Sequence, residues 1–414
     1  MTSLMLRTFL LSATVALAAC ESSPQSADIS GPSAATPVPP SVSSSIGAFA
    51  SSGHAGLDAW RDEFAVRARN AGHQIQTIRS ILEGIEPMSV FLERSSEAVD
   101  QVEFSKPIWE YVDDTVSQRR LTNARERLAA DSSLFGALET TYGVQREYLV
   151  AIWGMETSYG GYIGDFDAPS ALASMAAEGR RRSFAERELL ALMTILENGD
   201  AYRHELIAGW AGAMGQTQFM PTTYVAYAVD WTGDGTKDVW RARADALASA
   251  GNYLSASGWR PGEPSLVEVV LPQNFDYALA NGVDRPTQFW QQIGIVPANR
   301  LNLDPAGVGE SELWLPAGAT GPAFLLYPNF DVIKTYNRAD SYALSVSLIA
   351  EGVSGRGAPT GAWPRGIDRL SISEIEQLQE ALNRLGYNAG PADGIAGRGT
   401  RGALQRFQID RGMM

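Results

Sequence analysis

The strongest constraint on the fold is a change of texture within one long apolar-rich stretch. From about Gly56 to about Ile349 the chain can build large cores, and over its first two thirds the apolar residues recur at helical spacing, as at Ile75, Ile78, Ile81 and Leu82. Between Ser265 and Tyr336 the pattern shifts to β-branched runs such as Leu266-Val267-Glu268-Val269-Val270-Leu271, punctuated at Leu315-Pro316-Ala317-Gly318 and Thr320-Gly321-Pro322. A mainly α (α+β) fold with a small strand-rich subdomain is predicted. Residues 21–52 are Ser-, Ala- and Pro-rich, with little to bury, and read as a flexible tether. Gly352 to Gly366 reads as a second linker, after which Ile375, Leu378, Leu382 and Leu385 resume helical spacing.

The charge balance, 33 Lys+Arg against 47 Asp+Glu for a net −14, disfavours a nucleic-acid partner, since phosphate neutralisation needs a basic face. The three histidines, His54, His73 and His204, include no i, i+4 pair, so a helical zinc site is not expected. Arg7 followed by the apolar run from Phe9 to Leu17 reads as a signal peptide over residues 1–19. It ends in Leu17-Ala18-Ala19-Cys20, which looks like a bacterial lipobox. Cys20, the one cysteine, would then be lipidated and tether the body to a membrane without a spanning helix. An ordinary cleavage site that happens to contain a cysteine is the alternative. Glu21 after the cysteine, in place of a retention aspartate, points to the periplasmic face of the outer membrane.

In the segment Arg146 to Thr157, Leu149, Ile152, Trp153 and Glu156 follow i, i+3, i+4, i+7, which puts a carboxylate on the apolar face of a helix. Ser158-Tyr159-Gly160-Gly161 reads as the helix end, so the carboxylate would also face the negative pole of the helix dipole. Both effects favour the protonated form that a general acid needs near neutral pH. From the spacing alone a structural glutamate neutralised by an arginine is the preferred reading, and both stay open at this point.

Three further stretches carry a resemblance: Gly154-Met155-Glu156-Thr157-Ser158-Tyr159-Gly160, then Gly209-Trp210-Ala211-Gly212-Ala213-Met214-Gly215-Gln216-Thr217-Gln218-Phe219-Met220-Pro221, then Tyr227-Ala228-Val229-Asp230 leading into an Asp/Gly-rich loop. In this order they resemble the membrane-bound lytic murein transglycosylases of the B type, from roughly Gly56 to Gly352. The resemblance implies a lysozyme-like core that cleaves peptidoglycan glycan strands, with Glu156 as the catalytic acid/base. It also implies one carboxylate where ordinary glycosidases use two. The same glutamate would protonate the leaving oxygen and then take the proton of the 6-hydroxyl of muramic acid, which closes a 1,6-anhydro ring.

The resemblance further implies that Tyr111, Arg180, Arg181, Gln218, Tyr253, Tyr336, Asn337 and Tyr342 line the substrate groove. Arginines there would bind carboxylates through charge-assisted hydrogen bonds, and tyrosines would pack on sugar faces. A solvated charge run for the arginines and core packing for the tyrosines are the alternatives. The glycines at every third position, Gly209, Gly212 and Gly215, admit either close ligand approach or a tight internal contact. Many relatives have serine where this chain has Gly209.

Asp230, Thr232, Asp234, Thr236 and Asp238 place oxygen donors as an EF-hand loop begins, with Gly235 at the sharp turn. Position 12 is Arg241 where a glutamate is expected, and Asp245 is the next carboxylate able to close the site. The expectation is a structural calcium, with no cofactor required for the chemistry; an Asp/Gly turn with Asp245 as an N-cap is the alternative. Residues 371–414, with Asp393-Gly394 and the Thr400 to Gln408 helix, look like a small peptidoglycan-binding module. Such modules usually run a further helical turn past the position of Met413-Met414, which leaves binding by this copy open. The expected organisation is therefore a signal peptide (1–19), a lipid-anchored linker (20–55), a catalytic domain (56–352), a linker (353–370) and the module (371–414), in a monomer. A hydrolytic muramidase and a noncatalytic peptidoglycan-binding lipoprotein remain the competing readings.

Overall fold

The structure, a computed structural model, describes residues 46–92, 107–298, 303, 309–355, 361–366 and 370–413. The signal peptide, Cys20 and most of the expected tether lie outside the described residues. The chain divides into two compact units, one drawn from Met1–Ser95 and Glu156–Tyr253, the other from Ser96–Met155 and Leu254–Met414.

Helices α1 (Ala55–Asn70), α2 (Ile75–Leu82) and α3 (Ser89–Leu92) open the first unit. Helices α4 (Ile108–Thr115), α5 (Gln118–Ala130), α6 (Ser132–Tyr142) and most of α7 (Arg146–Thr157) belong to the second, and the chain enters the first again between Met155 and Glu156. There follow β1 (Phe166–Asp167), α8 (Ala168–Glu178), α9 (Arg182–Glu197), β2 (Ile207–Ala208), α10 (Pro221–Tyr227) and α11 (Arg243–Ala256). The second unit resumes with β3 (Leu266–Val270), β4 (Arg285–Pro286), α12 (Thr287–Gln292), β5 (Val296–Pro297), β6 (Glu310–Trp314) and β7 (Ala323–Leu326). It ends with α13 (Pro328–Tyr336), α14 (Asp340–Val353), α15 (Ile372–Arg384) and α16 (Arg398–Asp410).

In the first unit α1 buries Leu57, Trp60, Phe64, Ala65 and Ala68 along one stripe, and its first turn is capped by His54 Nδ1, which accepts from the Leu57 N–H at 3.1 Å. Trp60 Nε1 and Arg67 Nη2 both donate to Glu186 of α9. Helix α8 is capped by Asp167 and stops at Gly179, whose φ of 105° few side chains tolerate. Its small residues from Ala168 to Ala176 are buried throughout, against α1, α3 and α9. Each fully buried Leu, Ile or Phe contributes roughly 1.5–3 kcal/mol, against about 1 kcal/mol for a surface ion pair, so these apolar seams hold the unit. Residues 46–50, within the segment expected to be a tether, are packed. Ile46 is buried, the Ile46 and Ala48 carbonyls accept from Arg79, the Ala50 carbonyl accepts from Arg61, and both guanidiniums lie over the Phe49 ring.

The second unit contains the predicted strand-rich part, an antiparallel sheet in the order β4-β6-β7-β3-β5. Leu266 faces Leu326 and Val267 faces Leu325 in its centre, over a core that includes Trp290, Leu313 and Phe275. Tyr148 of α7 is tied to this sheet: the Ser265 N–H donates to its hydroxyl at 2.9 Å, and Ser265 Oγ reaches Ser347 of α14 at 2.7 Å. The C-terminal helices carry a separate small core of Leu382, Ala389 and Ala403, and Gln379 is locked by Asp393, Ile395 and Thr400. They are docked rather than tethered. Arg398 donates to Asp340 at 2.8 Å and to Glu312 at 3.2 Å and lies over the Trp314 and Phe330 rings, while Arg401 donates to the Pro316 carbonyl and Gln405 to that of Tyr277. The described part of the expected 353–370 linker is packed as well: Trp363 lies against Trp109 and Arg365 forms a two-pronged pair with Asp113.

Candidate active site

Leu149, Ile152 and Trp153 are buried on α7, and Glu156, one turn on, is half-buried at the place where the helix ends. The ending is unusual. Ser158, Tyr159 and Gly160 run consecutively at φ 51°, 65° and 75°, a left-handed stretch that costs about 1–2 kcal/mol for each non-glycine residue and persists only where the surroundings fix it. Here Thr157 fixes it: its Oγ1 accepts from the Gly160 N–H at 2.9 Å and donates to the Gln216 carbonyl at 2.6 Å.

Gln216 belongs to a tight hairpin in which the Met214 N–H donates to the Phe219 carbonyl at 2.8 Å and the Phe219 N–H to that of Met214 at 2.9 Å. The glycines are there for contact with protein. At Gly215, φ 70°, an added Cβ would stand 2.6 Å from Val239 Cγ2 and the Val239 carbonyl, and at Gly212, φ 90°, it would stand 2.8 Å from Leu172. Of the two roles left open by their spacing, the tight internal contact is the one built. Gly209 differs: a Cβ would meet Gln218 Oε1 at 3.1 Å, so its bare backbone leaves room for that amide. Gln218 is half-buried at φ 49°, and its Nε2 donates to the carbonyls of Gly215 at 2.9 Å and Ile163 at 3.2 Å.

Tyr253 of α11 meets the hairpin through an edge-to-face contact with Phe219 at 5.7 Å and also packs on Tyr227 at 4.8 Å. The first unit thus gathers the α7 end, the hairpin and Tyr253. Arg180 and Arg181 stand at the turn between α8 and α9. Arg180 is exposed and donates to Glu178 at 2.5 Å, and Arg181 lies over the Phe184 ring at 4.5 Å. The remaining four residues belong to the second unit. Tyr111 is half-buried on α4; Tyr336 ends α13; Asn337 is buried and accepts from the Ala339 N–H; Tyr342 is buried on α14. Two further carboxylates of the first unit hold structure. Glu188 accepts from the Thr222 N–H and hydroxyl at the start of α10, and burial pushes its carboxyl up. Burial acts likewise on Asp167, but Arg203 and Ser170 outweigh it and hold that group below its ordinary value.

The Asp/Gly loop is held together from within. Asp230 accepts from the N–H groups of Gly233, Asp234 and Gly235, and the Gly235 bond above all lowers its pKa. Asp245, fully buried, accepts from the N–H groups of Trp231, Thr232 and Asp238, while burial pushes its carboxyl up. Asp238 is taken by Arg241 Nε at 2.7 Å, and Arg241 reaches on to Glu205 at 2.5 Å. Asp234 holds Thr236 through both its N–H and its hydroxyl. This donor set fits a calcium ion only in part: Asp230 and Asp234 stand at the loop surface, Asp238 is neutralised by Arg241, and Asp245 is spent on backbone. Among the described residues no group of three His, Cys, Asp or Glu side chains is poised around a common point.

Sequence reasoning missed Thr157, Gln216 and Glu188 as residues that shape the site. Thr157 and Gln216 both stand inside the stretches that carry the resemblance, but their roles are not signalled there, because the links run through backbone carbonyls distant in sequence.

Comparison with known proteins bears on this geometry. Residues 56–351 match the family model described as a transglycosylase SLT domain, and residues 371–413 match a peptidoglycan binding domain. Membrane-bound lytic murein transglycosylase B of Escherichia coli (strain K12) is 33% identical over 218 residues, 51% of this chain and 58% of that curated relative's own length. SltB3 from Pseudomonas aeruginosa, crystallised in complex with NAG-anhNAM-pentapeptide, is 41% identical with a TM-score of 0.80, covering 87% of this chain and 96% of that one. The Escherichia coli lytic transglycosylase Slt35, solved in complex with calcium, is 25% identical with a TM-score of 0.59, covering 73% and 93%. The helical body with its small sheet is accordingly shared with lysozyme-like lytic transglycosylases, and the chain belongs to the transglycosylase SLT domain family.

Proposed function

We propose that this chain cleaves the β-1,4 bond between MurNAc and GlcNAc in peptidoglycan and leaves 1,6-anhydro-MurNAc ends, with Glu156 as the single acid/base. The observation that carries the reading is a half-buried carboxylate at a helix end braced by a hairpin. The neutral Glu156 carboxyl gives its proton to the glycosidic oxygen as the C1–O bond breaks, and the N-acetyl carbonyl of the same sugar stabilises the cationic centre. The carboxylate then accepts the proton of the C6 hydroxyl as that oxygen bonds to C1. No water enters, and the acid is regenerated. Gln218, Tyr253, Arg180, Arg181, Tyr111, Tyr336, Asn337 and Tyr342 are assigned to holding the glycan and its peptide. The relative crystallised with an anhydro-muropeptide supports the product type.

Purified sacculi digested with the protein, analysed by mass spectrometry, test the reading. Anhydro ends are expected; reducing MurNAc ends would make the chain a muramidase, and no release a binder. Glu156→Gln should lower the rate by 10³-fold or more while the melting temperature stays within a few degrees. We further propose that Cys20 carries lipid and holds a monomeric enzyme at the periplasmic face of the outer membrane; no helix among the described residues is long and apolar enough to cross a membrane. Recovery of a Cys20→Ser protein in the membrane fraction at the wild-type level would reject this. Calcium stays in the reading as a structural ion of the Asp230–Asp245 loop, supported by the relative's calcium complex. It would have to draw Asp238 away from Arg241. A melting temperature that is the same with chelator and with excess calcium would remove it.

A further inference from the structure

We propose that Thr157 and Gln216 form a positioning pair that sets the direction of the Glu156 carboxyl. The proposal rests on Glu156 being the acid/base. The two side chains are nearly closed to solvent, Thr157 at 3% and Gln216 at 8% exposure, which keeps them off the glycan.

The pair makes one continuous chain of hydrogen bonds. The Thr157 hydroxyl has a single proton, which goes to the Gln216 carbonyl at 2.6 Å, while its lone pair takes the Gly160 N–H at 2.9 Å. The Tyr162 N–H donates to the Thr157 carbonyl at 3.1 Å. Gln216 passes the connection on: its N–H donates to the Val239 carbonyl at 2.9 Å and its Nε2 to that of Trp240 at 3.2 Å. Its Oε1 occupies the space over Gly160, where a Cβ would come within 2.6 Å. The end of the catalytic helix is thereby bolted to the hairpin and, beyond it, to the two residues that close the Asp/Gly loop.

Direction matters here because one residue advances an α-helix by about 100°. A last turn that unwinds or slips swings Glu156 away from the leaving oxygen. The same carboxyl must serve two oxygens in succession, the glycosidic one and the C6 hydroxyl, so an orientation error acts on the chemical step and leaves ground-state binding alone.

Thr157→Val keeps the volume and removes the hydroxyl, and Thr157→Ser keeps the hydroxyl. Both are measured with Gln216→Leu on a soluble peptidoglycan oligosaccharide at a temperature where melting curves show each protein folded. Thr157→Val is expected to lower kcat at least tenfold with KM within twofold of wild type, and Thr157→Ser to restore at least a third of wild-type kcat. Gln216→Leu, which leaves the Thr157 bond in place, is expected to lower kcat three- to tenfold, again at constant KM. The proposal is overturned by a Thr157→Val kcat within twofold of wild type, by a serine variant as impaired as the valine one, or by KM rising in step with the kcat loss. If Thr157→Val does not fold, Gln216→Leu decides alone: unchanged kcat overturns the proposal. Glu156→Gln, run in parallel, separates the two ideas, since its retaining activity would remove the acid/base assignment whatever the pair does.

Discussion

The hairpin at Met214–Phe219 and the loop at Asp230–Arg241 both turn on glycines that the sequence singles out, Gly215 for a close contact and Gly235 for a sharp turn. They are rigid for opposite reasons. Gly215 is pressed on Val239, whereas Cβ atoms at Gly233 and Gly235 would meet nothing within 4 Å. The hairpin is therefore shaped from outside by packing, and the loop from inside by the Asp230 and Asp245 carboxylates that collect its N–H groups. The presence of glycines carries no information about which of these holds; only the neighbours decide.

The largest expected effect breaks the externally held side. Gly215→Ala combines the left-handed penalty with overlap on a backbone carbonyl that cannot step aside, and should cost about 2–5 kcal/mol in urea unfolding, with activity lost in step. Gly233→Ala, at φ 73° with open space around it, keeps only the conformational penalty of about 1–2 kcal/mol and should leave activity near wild type. Equal losses for the two would dissolve the distinction. The smallest effect is a matter of pH. The segment Gly209 to Pro221 contains no titratable side chain, while Asp230 and Asp234 have pKa values held below the ordinary carboxylate value by N–H donors. A depressed pKa gives stability that is present above the unfolded value, near 4, and is lost as pH falls through the folded value. Hydrogen exchange corrected for intrinsic rates should therefore show the loop amides opening as pH falls below about 4. Hairpin amides should stay protected over the same range until the unit itself unfolds.

The same contrast explains what could be read in advance. Periodicity marked α7 and the apolar-face position of Glu156, since those depend on residues within two turns. A run of β-branched residues marked β3, and the Arg241 departure from a calcium loop was visible as a single mismatch. The two-residue strands β1 and β2 are too short for any periodic signal. The Thr157 bond to the Gln216 carbonyl spans 59 positions and has a backbone group at its far end, so no residue type announces it. Arg398 was equally silent: in sequence it is one more arginine in a polar helix, and only the fold sets it between Asp340, Glu312 and two aromatic rings.

That last arrangement bears on how such enzymes are taken apart and recombined. A C-terminal module seated by an arginine in an acidic, aromatic socket is a keyed part, and its key and socket lie on segments far apart in the chain. A module grafted from another protein without an equivalent of Arg398 would strip Glu312 of its cation and leave Asp340 with Lys334 alone. A catalytic body truncated after α14 would have the same defect. Shuffling experiments on this chain should therefore exchange Arg398 together with Glu312, Trp314, Phe330 and Asp340, and treat the five residues as one heritable unit.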